Sequence, residues 1–342
     1  FTVRRTVSPP SAGGLTVRRT GGVGMARRQI IADLTLLLVV TLWGATFVMV
    51  QDAVREWPVF AFLALRFTIA AAAFAPIFLW RWLRSGKAEN HEGTKTQSKI
   101  LLPAIVIGLV LGASYAFQTV GLLYSTPAKT GFITGLNVIL VPVGAALFLR
   151  QRAGAPVIVG VLLATIGLGL LSLNDDLSIG FGDFLVFICA IAVATQILLV
   201  SRYAPRVSPF RLAAIQIATM AVACAIISLI FEVPAGLPPL SGSVLFAAAF
   251  TGLLATTFAF TAQAWAQRFT SASHIALLFT LEPVTAAIAS YLLIGEMLTV
   301  RGLIGCVLIL AGMLAAELGG LWLAARRKRV VFSEALPIAS NQ

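Results

Sequence analysis

Glu282 is followed at once by Pro283 within an otherwise apolar stretch of the chain. An ionisable group in hydrocarbon costs a few kcal/mol or more, so it asks for a reason. The proline removes a backbone donor and frees a carbonyl, which suits a kinked helix beside a cavity. A carboxylate there can bind an ammonium group or carry a proton. It can equally be a structural carboxyl bonded to neighbouring helices at the kink. Asn137, Gln118 and Gln263 also lie in apolar runs; their amides can line a pocket or bond helix to helix. Arg66 can hold a carboxylate with its fork of donors, snorkel toward water, or pin two parts of the molecule together through an acidic partner. Lys129 and His274 stand at the starts of two apolar runs, where they can serve as gates or simply meet water at a helix end. Trp43, Tyr115, Phe117, Phe260 and Trp265 offer an aromatic wall, although Trp265, near a run's end, also suits an interfacial belt.

The elements that must position these groups are ten apolar runs, at about 32–51, 58–80, 100–123, 127–149, 155–173, 181–201, 209–231, 242–266, 271–293 and 300–324. A hydrocarbon core of ~30 Å takes about 20 apolar residues per helix, and a barrel would need alternating segments of about 10. The expected fold is therefore all-α integral membrane, with ten transmembrane helices. Charged residues are 11% of the chain, against about 25% in soluble domains. No polar stretch is long enough for a soluble domain. Cys189, Cys224 and Cys306 all sit in apolar runs without metal-ligand spacing, so neither a metal nor another cofactor is expected. Residues 1–29 read as a disordered leader that lacks the apolar segment of a signal peptide, with Met25 a candidate start. Residues 326–342 read as a polar tail.

The net charge of +12 reflects sidedness rather than a nucleic-acid partner. With the N-terminus in the cytoplasm, Arg81, Arg84, Arg150, Arg152, Arg202, Arg206 and Arg268 all fall on the inner side, and Asp52, Glu56, Asp175 and Glu232 on the outer side. Both termini are then cytoplasmic.

A shift of 145 residues lays the last three runs of the first half on those of the second. Gln118 falls on Gln263, Lys129 on His274, Asn137 on Glu282, and Gly160 and Gly167 on Gly305 and Gly312. The first two runs of each half do not align at that shift. The expected organisation is two five-helix repeats, 30–174 and 175–325. An odd-numbered unit that is duplicated inserts upside down the second time, so the repeats are expected to be inverted.

Trp43-Gly44-Ala45-Thr46-Phe47, Arg66, Ser271-Ala272-Ser273, Leu281-Glu282-Pro283, Gly295-Glu296, Gly302, Gly305 and Gly312, in this order on ten runs, resemble the EamA branch of the drug/metabolite transporter superfamily. Within it, the chain most resembles the YddG-type amino-acid exporters. The first half carries Arg150-Gln151 where the second has Gly295-Glu296. The resemblance implies a multi-pass exporter of small metabolites, often amino acids, in the bacterial inner membrane, surrounded by lipid.

The residues agree with that class. There is no GxxxxGK[ST] run for ATP, and no HExxH, GxSxG or midspan aspartate pair for an intramembrane enzyme. Charged rings expected of a channel are also missing. Few cations lie at depth, which disfavours phosphates. A zwitterion suits one carboxylate and one guanidinium, and proton coupling would have to use Glu282. Another neutral metabolite or drug is the alternative cargo.

Overall fold

The computed structural model describes residues 20–76, 91–148, 155–172, 179–269, 275, 278, 279, 281–315 and 319. These residues are helical, with no strand among them. In chain order the helices are α1 (Thr20–Glu56), α2 (Val59–Ala72), α3 (His91–Leu122), α4 (Pro127–Gly135), α5 (Asn137–Phe148), α6 (Ala155–Ser172), α7 (Phe181–Tyr203), α8 (Pro209–Phe231), α9 (Gly242–Gly252), α10 (Ala259–Ala266), α11 (Leu281–Ile294) and α12 (Val300–Ala315). Among the described residues, six helical stretches are long and apolar enough to cross a membrane, and Val59–Ala72, Ile158–Leu171, Leu281–Ile294 and Val300–Ala315 are shorter apolar helices. Leu38, Leu102, Ile166, Ile226, Phe246 and Val307 point outward and are more than 40% exposed. A belt of exposed aliphatic side chains around a polar-centred core is the arrangement lipid requires.

Two of the expected uninterrupted runs are interrupted. The run at 127–149 breaks at Leu136, where α4 ends and α5 begins; Asn137 Nδ2 donates to Thr134 O at 2.8 Å across the break. The run at 242–266 contains a π-turn, Leu253–Phe258, between α9 and α10. The first helix starts at Thr20, ahead of the boundary expected at residue 30.

Local chemistry sets the starts. Thr126 accepts from Lys129 N, with Pro127 at the first helical position, where its missing N–H costs nothing. Ser241 caps α9 through Val244 N. The first turn of α2 is capped from another helix: the Glu232 carboxylate accepts from Phe60 N at 2.9 Å and Ala61 N at 2.6 Å.

The helices meet in repeated ways. α3 packs on both α7 and α8, α2 on both α8 and α9, α1 on α10 and α11, and α4 on α7 and α11. Glycines set the closest approaches. A Cβ on Gly167 would lie 2.6 Å from Gly305 O, one on Gly305 2.7 Å from Gly167 O, and one on Gly312 2.6 Å from Gly160 O. The four glycines aligned by the 145-residue shift thus face each other across α6 and α12. Likewise a Cβ on Gly108 would lie 2.7 Å from Gln216 O, and one on Gly252 2.7 Å from Arg66 O. Arg66 and Gln216 are 150 residues apart, as are Val59 and Pro209, where α2 and α8 begin. α2 and α8 thus correspond at a shift of 150 residues, against 145 for the later helices.

Since van der Waals packing, not apolar burial, joins helices in lipid, these crossings carry much of the stability. Gly305→Ala should cost about 1–3 kcal/mol by overpacking and lower the thermal midpoint of the solubilised protein by several degrees. Gly242→Ala, whose added carbon meets nothing within 4 Å, should leave it unchanged.

Candidate functional site

A cavity of about 50 Å³ lies at the centre of the bundle, lined among others by Trp43, Thr46, Arg66, Tyr115, Gln118, Thr134, Gln196, Phe260, Gln263, Phe279 and Glu282. Of the ten residues offered above as binding or pocket-wall candidates, Trp43, Arg66, Tyr115, Gln118, Phe260, Gln263 and Glu282 line it. Asn137 does not; it is fully buried beside the α4–α5 break, with Nδ2 committed to Thr134 O and Oδ1 without a partner among the described residues. Its side chain is turned back across the break onto α4.

Each charged residue of the cavity sits where a facing helix supplies a glycine. Glu282 lies on α11, which crosses α1 at Gly44; a Cβ there would stand 2.7 Å from Ala286 N and 2.9 Å from Glu282 O. Thr285 Oγ1 donates to Val40 O at 3.2 Å and strengthens the crossing. Gly44 thereby brings its neighbour Trp43 to the cavity. Trp43 Nε1 donates to Ala255 O at 2.8 Å, and its ring lies 5.2 Å from Phe279 and 5.5 Å from Phe260. Pro283 packs on the opposite side of α11, against Gly135 of α4.

Arg66 is 3% exposed, so it does not snorkel. The ion pairs among the described residues are Arg55–Asp52 and Lys129–Asp183; Arg66 is in neither, so it does not pin two helices through a carboxylate. Its Nε donates to Thr256 Oγ1 at 3.1 Å, and its guanidinium carbon lies 4.7 Å from the Tyr115 ring centre and 5.5 Å from that of Phe67. Aromatic faces stabilise a cation without neutralising it. Glu282 is 5% exposed, and among the described residues nothing donates a hydrogen bond to its carboxylate. One basic and one acidic side chain thus share a buried cavity without pairing.

Gln118 Nε2 donates to Thr134 Oγ1 at 3.2 Å, and Gln263 Nε2 to Gln196 Oε1 at 3.3 Å, leaving Gln263 Oε1 and Gln196 Nε2 buried without partners. Thr46, Gln196 and Thr134 were not singled out by residue type. Their signal lies in the repeat: Thr46 and Gln196 are 150 residues apart, and Thr134 and Phe279, like Tyr115 and Phe260, are 145 apart. Phe117 lies outside the cavity lining, and Trp265 lines a separate apolar groove beside Phe210 and Phe258.

Lys129 stands at the bundle end formed by the close of α3 and the start of α7, away from the cavity. Its Nζ lies 3.6 Å from Asp183 Oδ2, while Ser125 Oγ donates to Asp183 Oδ1 at 2.5 Å. Glu296 accepts from Ala128 N at 3.2 Å and from Ser290 Oγ. Gln51 Nε2 donates to Leu122 O and Ser125 O, at 2.8 and 3.0 Å. The start of α4 is thus tied to α1, α7 and the segment after α11. His274 lies outside the described residues.

With this geometry in place, the known proteins decide the family. Residues 30–173 and again 180–316 match the EamA-like transporter family. The chain belongs to that family. An uncharacterized transporter from Archaeoglobus fulgidus is 32% identical over 303 residues, covering 88% of this chain and 90% of that one. The uncharacterized transporter YyaM of Bacillus subtilis is 27% identical over 289 residues, covering 80% and 89%. A protein of known crystal structure, 21% identical, shares the fold with a TM-score of 0.61 over 85% of this chain and 98% of its own. The EamA-like chain is accordingly a multi-pass membrane transporter, and a small-molecule substrate follows from that.

That no described residue donates to the Glu282 carboxylate has a measurable consequence. A structural carboxyl would lose about 1–3 kcal/mol on replacement by its amide; a buried carboxyl to which no described residue donates has no such bond to lose. Glu282→Gln should therefore match or exceed the native thermal midpoint. Asp183→Asn, which loses the Lys129 ion pair while its amide oxygen can still accept from Ser125, should fall below it.

Proposed function

We propose that the protein is a secondary transporter that exports amino acids or similar small zwitterionic metabolites by alternating access of the central cavity. It works as two inverted five-helix halves, 30–174 and 175–325. The supporting observation is that Arg66 and Glu282 share one cavity without an ion pair among the described residues: a carboxylate and an ammonium on one small molecule would bring an opposite charge to each. Aromatic and aliphatic walls from Trp43, Tyr115, Phe260 and Phe279 would receive an apolar side chain. The two successive matches to the EamA-like family support a duplicated unit. So does the recurrence of each close crossing in the other half, Gly108 on Gln216 answering Gly252 on Arg66.

In the orientation given by the basic loops, both termini are cytoplasmic and the setting is the bacterial inner membrane. The Lys129–Asp183 tie then closes the outer side. His274, related to Lys129 by the 145-residue shift, is its counterpart on the inner side. Pro283, beside Glu282 on α11, is where that helix would flex as the halves rock. Export down a concentration gradient needs no second ion; proton exchange would use Glu282.

Counterflow in proteoliposomes tests this, with radiolabelled amino acids, purines and sugar phosphates as cargo. Amino acids should exchange. Glu282→Gln and Arg66→Gln should each slow exchange at least about tenfold, the equivalent of ~1.4 kcal/mol for a lost charge-assisted bond. Normal rates in both variants would end the assignment. An imposed pH gradient should alter native counterflow only if protons are coupled.

A further inference from the structure

We propose that Thr256 is a positioning residue: the π-turn at Leu253–Phe258 exists to bring its hydroxyl onto Arg66 and so aim that guanidinium at the substrate. This rests on the reading of Arg66 as the substrate's carboxylate anchor.

The turn is a one-residue insertion that the repeat itself reveals. Gly108 and Gly252 make equivalent crossings, each on the backbone of the second helix of the opposite half, and are 144 residues apart; Tyr115 and Phe260, both lining the cavity, are 145 apart. One extra residue therefore lies between Gly252 and Phe260, where the π-turn is. The equivalent stretch of α3 is uninterrupted helix. A π-bulge is such an insertion, and it swings the following side chains around the helix axis.

Here the swing has specific products. Thr256 Oγ1 donates to Thr251 O, five residues back, at 2.9 Å and accepts from Arg66 Nε at 3.1 Å. Thr257 Oγ1 lies 3.1 Å from Gly252 O and 2.9 Å from Ala70 O, one turn beyond Arg66. Ala255 O accepts from Trp43 Nε1. The wider turn thus fixes α2 and Trp43 together. Only the half that faces an arginine has the turn: Gln216, the counterpart of Arg66, faces plain helix. With Nε held by Thr256 and the plane of the group resting on Tyr115, the terminal nitrogens are what a carboxylate would meet. The insertion makes one half of a duplicated site into an anion anchor.

Two readouts test this. In nanodiscs, the Arg66 Nε–H should exchange slowly by ¹⁵N NMR in the native protein and in Thr256→Ser, and at least tenfold faster in Thr256→Val. This needs no substrate, and equal exchange in Thr256→Val overturns the proposal. In counterflow with a mixture of the twenty labelled amino acids, Thr256→Val should raise KM about tenfold with kcat within about twofold, and Thr256→Ser should restore KM. An unchanged KM in Thr256→Val, beside a crippled Arg66→Gln, also overturns the positioning role. If Arg66→Gln exchanges normally, the anchor reading itself has failed, whatever the exchange experiment returns.

Discussion

Taking a guanidinium or a carboxylate out of water costs several kcal/mol per ion, and a protein normally recovers this by pairing them. Here Arg66 and Glu282 share one cavity and do not pair. Most of the surrounding structure can be understood as what holds them apart. Gly252 lets α9 touch the backbone of α2 at Arg66, and Gly44 lets α1 touch the backbone of α11 at Glu282. Each charge is thereby fixed at a helix crossing, where its own backbone cannot drift toward the other. Tyr115 and Thr256 occupy the guanidinium without cancelling its charge.

The same crossings explain the construction of the bundle. In lipid the backbone must satisfy its own hydrogen bonds, so irregular helix is tolerated only where protein or a cavity covers it. The break at Leu136 is spanned by Asn137 and packed under Pro283. The π-turn is covered by Trp43, Arg66 and Ala70. The irregular stretches lie beside the cavity, while the lipid-facing α6 and α8 are regular. At one end of the bundle, Asp183 and Glu296 together bind the first turn of α4. That concentrates the polar closure on a single short helix, the element a small displacement would free.

The sequence made the helical class and much of the cavity legible for definite reasons. Gln118, Gln263, Arg66 and Glu282 stand out because polar groups are costly among apolar runs, and seven of the ten candidate residues do line one cavity. Asn137 has the same signature but serves a helix break, a distinction that side-chain direction makes and residue type does not. The π-turn is invisible in Leu-Leu-Ala-Thr-Thr-Phe because it involves no Gly or Pro. The alignment of the first two helices hides because its key pairs, Trp43 with Val193 and Arg66 with Gln216, differ in chemistry. Asp183 reads as an ordinary acid in a helix's first turn until Lys129 and Ser125 are seen beside it.

The central claim is that one cavity between the halves is open to each side of the membrane in turn, with the Lys129–Asp183 tie closing one of them. The direct measurement uses a variant with Cys189, Cys224 and Cys306 replaced by alanine and one cysteine placed at Gln118. Membrane-impermeant maleimide is then applied from either face of oriented vesicles. The account predicts labelling from both faces. When Lys129→Cys and Asp183→Cys are added and joined as a disulfide, labelling should be lost from the face nearest residue 129 and persist from the other. Labelling from one face only in both proteins, or from both faces after the disulfide forms, would contradict it.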